Sequence, residues 1–204
     1  MSYLLYGGAF NPPTKAHIFL SKYACDATKS EGVIFMPSKI SYIKGVEGKN
    51  FAFSDEERIS MLTKIAEGKS WMKVSSYELN LTAFQPRTYE TLNHLKNEEN
   101  INCKLLFGSD WLPDLKTKWL HIPEIAKEYG IVCMERGNDI VSDFIKNDDY
   151  LKSLAPYIEI IKTPDEFKFT SSTQAREKFS EMKRNHSELE KIVPDELDGL
   201  KSYL

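Results

Sequence analysis

The chain has 204 residues, of which 41% are hydrophobic and 28% charged, and a formal net charge of −3. That length sits at the upper end of one ordinary domain and suffices to bury a core without disulfides or a structural metal, and the composition excludes a disordered or fibrous chain. The charge lacks the basic excess of a nucleic-acid binder, and no apolar run reaches the roughly 18 residues that span a membrane.

Tyr3-Leu4-Leu5-Tyr6-Gly7 reads as a buried strand ended by glycines. Residues 15–29 place Ile18, Phe19, Tyr23, Ala24 and Ala27 at helical spacing. A second strand, 32–37, stops at Pro37, and a basic, glycine-containing loop follows over 38–50. Ser54-Asp55-Glu56-Glu57 opens a helix in which Ser54 caps and Glu57 closes a capping box. A short strand is expected at 72–74, a helix at 87–96, a strand at 104–108, a helix at 122–128, and strands at 130–134 and 157–161. Helices over 171–183 and 194–203 complete the chain.

Alternating strands and helices predict one doubly wound α/β domain, a Rossmann-like parallel sheet with helices on both faces. The part from about 171 to 204 is its helical end. The continuous apolar strand 33–36 fits burial on both sides. Cys25, Cys103 and Cys133 are odd in number and widely spaced, so they are read as buried thiols rather than a disulfide framework or zinc site. The opening MSYLLYGG carries no basic segment ahead of a long apolar stretch, so a cytoplasmic protein is expected.

The strongest chemical signal is Gly7-Gly8-Ala9-Phe10-Asn11-Pro12-Pro13-Thr14-Lys15-Ala16-His17, which joins the first strand to the first helix. Two glycines let backbone approach a phosphate closely. Thr14 and His17, three apart at a helix start, share a face beside N–H groups that suit an anion. A plain strand-to-helix turn is the alternative reading, and the length of the string argues against it. Neither G-x-x-x-x-G-K-[ST] nor G-x-G-x-x-G is present, which sets aside a P-loop protein and a dinucleotide-binding redox fingerprint. The second signal is Thr170-Ser171-Ser172-Thr173-Gln174-Ala175-Arg176. Hydroxyls at a helix start and an arginine fork suit phosphate oxygens, although Ser and Thr also simply cap helices.

The first string resembles the G-[GS]-x-F-x-P-x-[HT]-x-G-H motif of the nucleotidyltransferase superfamily, and the last resembles its I-S-S-T-x-x-R. Between them, Phe107-Gly108-Ser109-Asp110-Trp111-Leu112 looks like the G-[AS]-D segment of nicotinate and nicotinamide mononucleotide adenylyltransferases. The stretch 86–92 is similar to that family's ring-recognition segment, and Lys118-Trp119 stands like its pyridine-stacking tryptophan. The segment 129–139 and Ile192-Val193-Pro194-Asp195 extend the resemblance, which covers nearly the whole chain. The departures are Thr14 for the first motif histidine, Ala16 for the glycine, and Thr170 for the isoleucine.

The resemblance implies transfer of AMP from ATP to a pyridine mononucleotide, giving the NAD-type dinucleotide and pyrophosphate, with Mg²⁺ carried on the ATP. It points to His17, Thr14 and Arg176 for catalysis and ATP, and to the glycine turn (Gly7, Gly8, Ala9, Phe10) with Gly108, Asp110, Ser171 and Ser172 for ATP, while Lys44, or a neighbour in the 38–50 loop, is the candidate for added charge on the phosphates. It assigns Arg87, Thr88, Thr91 and Trp119 to the mononucleotide. His94, His121 and His186 are read as structural or surface residues. Two alternatives stay open: a related adenylyl- or cytidylyltransferase acting on an acceptor such as phosphopantetheine, and a module that senses the dinucleotide without making it. The choice between nicotinate and nicotinamide is open as well, and a homo-oligomer is compatible with the sequence.

Overall fold

In the computed structural model the described residues are 2–45, 52–81, 85–135, 140–164 and 194–197. In chain order the elements are β1 (Tyr3–Gly8), α1 (Lys15–Ala27), β2 (Val33–Pro37), α2 (Ile40–Gly45), α3 (Asp55–Ala66), β3 (Met72–Val74), α4 (Tyr77–Asn80) and α5 (Thr88–Asn97). There follow β4 (Cys103–Gly108), a 3-10 helix (Ser109–Asp114), α6 (Ile122–Glu128), β5 (Ile131–Met134), α7 (Val141–Asn147), α8 (Asp149–Leu154), a 3-10 turn (Ala155–Tyr157) and β6 (Ile158–Ile161). The strands form one parallel sheet in the order β3-β2-β1-β4-β5-β6. This is the doubly wound architecture that the alternation predicts. The strand order reverses between β1 and β4, and sheets of this kind take ligands outside the carboxyl ends of the strands at such a point.

Most elements lie where the residue pattern puts them, and the exceptions have local causes. The helix expected to reach residue 29 stops at Ala27, because Lys29 turns to φ 53 and its N–H bonds back to the Asp26 carbonyl at 3.1 Å. The basic stretch read as loop contains α2, a helix of 6 residues too short to show periodicity and seated by the fully buried Ile43. The 3-10 helix after β4 and the short helices α7 and α8 were likewise read through, each being about one or two turns long. The helix expected at 171–183 lies outside the described residues. Of the one expected at 194–203, only 194–197 is described, and 195–197 form a 3-10 turn.

Contacts group the chain into two compact units: residues 1–7, 20–34 and 86–169, and residues 8–19, 35–85 and 170–204. In the first, β1 pairs with β4 (Tyr3 opposite Cys103, Tyr6 opposite Leu106). There β4 also pairs with β5 (Leu105 opposite Ile131), and β5 with β6 (Ile131 opposite Ile158). All four residues of β5 are buried, so this strand is apolar throughout rather than alternating. In the second unit, Phe35, Met36, Ile43, Leu62 and Ile65 are sealed from solvent, and so is Arg58. The Ser54 hydroxyl accepts from the Glu57 N–H at 3.1 Å and the Glu57 carboxylate from the Ser54 N–H at 2.7 Å, the capping box expected for α3. All three cysteines are buried, and none of them forms a disulfide. Among the described residues no helix is long and apolar enough to cross a membrane.

Candidate active site

Apart from Gly7, which closes the first segment of the first unit, the described candidate residues fall into two groups, one in each unit. In the second unit, the turn that follows β1 runs into α1 through Thr14. The Thr14 carbonyl accepts from the Ile18 N–H at 3.3 Å and its hydroxyl from the His17 N–H at 3.3 Å, so Thr14 caps the helix. Thr14 is fully buried. Its own N–H donates to Nδ1 of His17 at 2.9 Å, and its Oγ1 lies 2.8 Å from the same nitrogen. A backbone N–H can only donate, so Nδ1 accepts with its lone pair and the ring carries its proton on Nε2. The Phe10 ring meets His17 edge-on, with centroids 5.3 Å apart at 75°, and packs against Phe35 at 5.3 Å. One histidine is thus held in orientation and tautomer by its own helix cap and an aromatic neighbour.

Among the described residues, nothing packs so closely on the glycines ahead of this cap that a side chain is shut out. A Cβ on Gly7 would meet nothing within 4 Å, and one on Gly8 would make ordinary contact with the Phe10 ring at 3.4 Å. Lys44 lies in the last turn of α2 and is exposed. Ser171, Ser172 and Arg176 lie outside the described residues.

Behind the turn stands a group that the sequence reading missed. Arg58, on α3, is 0% exposed. Its Nη1 donates to the Ala9 carbonyl at 2.8 Å, its Nε to the Phe53 carbonyl at 3.3 Å, and its Nη2 to Asp55. The same Asp55 oxygen accepts from the Ile40 N–H at 2.7 Å, at the start of α2. Asn11 Oδ1 accepts from the Phe53 N–H at 2.9 Å. The signal was present: Arg58, Met61, Leu62 and Ile65 form one stripe at helical spacing, and all four are buried. A charged residue in an apolar stripe marks a buried polar contact.

In the first unit, β4 ends at the buried Gly108, followed by the fully buried Ser109 and the exposed Asp110. The chain then folds compactly toward Trp119. The Lys118 N–H donates to the Asp114 carbonyl at 2.8 Å and its ammonium to the Asp114 carboxylate at 2.8 Å. Trp119 is half-buried, edge-on to Trp111 (5.6 Å, 72°) and tilted against Phe107 (6.0 Å, 48°). Arg87 is exposed just ahead of α5, its N–H bound by the Glu90 carboxylate at 2.8 Å. Thr88 is half-buried. Thr91 is fully buried, and its hydroxyl donates to the Arg87 carbonyl at 3.4 Å.

The first turn of α5 is anchored by Tyr89, whose hydroxyl reaches both oxygens of Glu128 at 3.1 and 3.2 Å. Tyr129 donates to Asn93 at 2.6 Å, and burial, followed by the charge of Glu128, holds its phenol above the usual range. A cleft of about 600 Å³ in this unit, with Leu112, Lys116, Ile140, Phe144 and Tyr150 in its lining, contains none of the sequence-predicted site residues. Among the described residues no group of three or more His, Cys, Asp or Glu is gathered to hold a metal.

The cytidylyltransferase-like family model matches residues 5–178. The chain is 30% identical over 182 residues to the "Probable nicotinate-nucleotide adenylyltransferase" of Clostridium botulinum, covering 89% of this chain and 88% of that one. It is 29% identical over 170 residues to the nicotinamide/nicotinic acid mononucleotide adenylyltransferase of Arabidopsis thaliana, covering 78% and 71%. Among solved structures, Plasmodium falciparum nicotinic acid mononucleotide adenylyltransferase complexed with NaAD shares the fold at a TM-score of 0.75, with 21% identity over 99% of this chain and 95% of that one. The same enzyme complexed with APC gives 0.75 at 22% identity, with the same 99% and 95% coverage.

Proposed function

The chain belongs to the cytidylyltransferase-like family, and we propose that it transfers the adenylyl group of ATP to nicotinate or nicotinamide mononucleotide. The products are the NAD-type dinucleotide and pyrophosphate. It is an enzyme of the nucleotidyltransferase class, and it works in NAD biosynthesis. The observation that supports the residue assignments is the His17 ring at the glycine turn, its Nδ1 accepting from the Thr14 N–H at 2.9 Å.

In this reaction an oxygen of the mononucleotide 5′-phosphate attacks the α-phosphorus of ATP. The new P–O bond forms as the bond to the β-phosphate oxygen breaks, and pyrophosphate leaves with that electron pair. The nucleophile is already an anion, so no protein base or covalent intermediate is needed. Catalysis rests on alignment and on stabilising the charge that builds on the phosphates. His17 donates from Nε2 to an α-phosphate oxygen, and Thr14 acts by fixing that ring. The bare backbone of Gly7 and Gly8, with Ala9 and Phe10, lets the phosphate chain approach closely. Lys44 adds positive charge. Ser171, Ser172 and Arg176, by their likeness to the family motif, take the β- and γ-phosphates, where leaving-group charge grows.

Gly108 and Asp110 serve the adenylate, Asp110 at the ribose. Trp119 stacks on the pyridine ring, a flat heterocycle suited to an aromatic face. Arg87 and Thr88 line the same substrate, and Thr91 supports them by tying down the Arg87 carbonyl. Mg²⁺ carried on the ATP would offset phosphate charge and, preferring phosphate oxygens and water, would ask few ligands of the protein. The compartment proposed is the cytoplasm.

The test is pyrophosphate release from ATP and Mg²⁺ with nicotinate mononucleotide, nicotinamide mononucleotide and phosphopantetheine as separate acceptors. Release with either pyridine nucleotide is expected, and the ratio reports which ring is preferred. Release only with phosphopantetheine would keep the chemistry and overturn the acceptor. Tight dinucleotide binding without any release would favour a sensor.

A further inference from the structure

We infer that Arg58, which touches no reacting group, is a positioning residue for adenylyl transfer, pre-setting the backbone of the Gly7–Phe10 turn. The inference rests on the assignment of that turn to ATP. Phe10 sits at φ 43, a left-handed conformation that a bulky residue seldom adopts unless its surroundings enforce it. The enforcement is visible on both sides of it. Arg58 binds the Ala9 carbonyl at 2.8 Å, and the Phe53 N–H binds the Asn11 side chain at 2.9 Å. Arg58 and the Phe53 N–H therefore clamp the turn immediately before and immediately after the strained residue.

The Ala9 contact has a directional consequence. In a trans peptide the C=O and N–H point in opposite directions. By holding the Ala9 oxygen, Arg58 turns the Phe10 N–H to the side away from α3. The same guanidinium binds Asp55, and Asp55 accepts from the first amide of α2, the helix that carries Lys44 in its last turn. A buried arginine thus joins the glycine turn to the start of the Lys44 helix. It needs several donors in fixed directions, and lysine, a single ammonium on a flexible stem, cannot supply them together.

The experiment compares Arg58→Lys, Asp55→Asn and Ser54→Ala in the full chain, by thermal unfolding, calorimetric Kd for MgATP and kcat for pyrophosphate release. Ser54 caps the same helix, its hydroxyl and N–H bound to Glu57 rather than to the turn, so its variant reports lost stability alone. Arg58→Lys is expected to lower kcat and to weaken MgATP, each by about 10- to 100-fold, the scale that a misplacement of about 1 Å produces. Asp55→Asn, which preserves size and the oxygen that Ile40 binds, is expected to show the same effects to a smaller extent. Ser54→Ala should lose stability with kcat and Kd unchanged. Arg58→Lys and Asp55→Asn behaving like Ser54→Ala would overturn the inference, as would Arg58→Lys failing to fold while Asp55→Asn keeps wild-type kcat and Kd. Wild-type protein that releases no pyrophosphate, with MgATP still weakened by Arg58→Lys, would remove the proposed reaction and leave the positioning role standing.

Discussion

The backbone N–H of Thr14 and the Nδ1 of His17 lie 2.9 Å apart, and this bond decides what the histidine can do. A nitrogen that accepts has no proton of its own, so the remaining nitrogen is a donor. If His17 serves the reaction as proposed, it is Nε2–H that meets the phosphate, because Nδ1 is already bound by Thr14. The Thr14 hydroxyl, 2.8 Å from the same ring nitrogen, helps fix the ring and at the same time caps α1.

His17→Ala is expected to lower kcat by about 100- to 1,000-fold, the usual cost of removing one donor aimed at a transition-state oxygen. Affinity for ATP should change far less, because the contact strengthens as charge develops. His17→Gln, which places an amide N–H near the Nε2 position, should retain more activity than the alanine variant. Steady-state kinetics with a separate binding measurement checks this, and an unchanged kcat in His17→Ala would remove the residue from the catalytic list.

Trp119→Ala is expected to raise the KM for the mononucleotide about tenfold and leave that for ATP nearly unchanged, since stacking on a flat heterocycle contributes roughly 1–3 kcal/mol. Trp119 also packs against Trp111 and Phe107. Near-ultraviolet circular dichroism of the variant separates lost stacking from a disturbed aromatic cluster. Equal effects on both substrates, with a changed aromatic spectrum, would assign Trp119 to folding instead.

Ser54→Ala removes the acceptor for the Glu57 N–H at the start of α3. Loss of such a cap costs about 1 kcal/mol, to be read from urea unfolding. A change within experimental error would show that the box contributes little at this exposed helix end.

The Lys69 ammonium donates to Glu196 at 2.5 Å, and that bond, more than any other influence, holds the Glu196 carboxyl below the usual range. A depressed folded-state pKa gives stability that is present above the unfolded value of about 4.3 and is lost as pH falls through the folded value. Glu196 is 37% exposed, so solvent screening limits the effect to at most about 1 kcal/mol. Glu196→Gln should therefore lower the Tm slightly at pH 7, and the difference from wild type should vanish in the acid range below the carboxylate titration. A difference independent of pH would mean that the amide disturbs packing rather than an ion pair.

Much of the fold is legible in the sequence because its elements declare themselves through different physics. The strand 33–37 is apolar at every position, α3 begins with a capping box, and 122–128 carries Ile122, Ile125 and Ala126 at helical spacing, with Pro123 in its first turn. What stayed hidden are elements too short for periodicity, such as α2 and α7, whose helical form comes from tertiary seating of Ile43 and Val141. In the site, the Gly7–His17 string identifies the turn, but nothing in it announces that Thr14 is fully buried and bound to the histidine ring. Arg58 shows the opposite case. Its place in the apolar stripe with Met61, Leu62 and Ile65 is readable, whereas its partner, the Ala9 carbonyl 49 residues away in sequence, emerges only in three dimensions.

The most direct test of the adenylyl transfer is to follow both halves of ATP at once, using substrate labelled on the α-phosphate in one reaction and on the γ-phosphate in another, with nicotinate or nicotinamide mononucleotide as acceptor. The account predicts the α-label in the dinucleotide and the γ-label in pyrophosphate, in equal amounts. An α-label that stays in ATP, or that appears as free AMP or on the protein with no labelled dinucleotide, would contradict it.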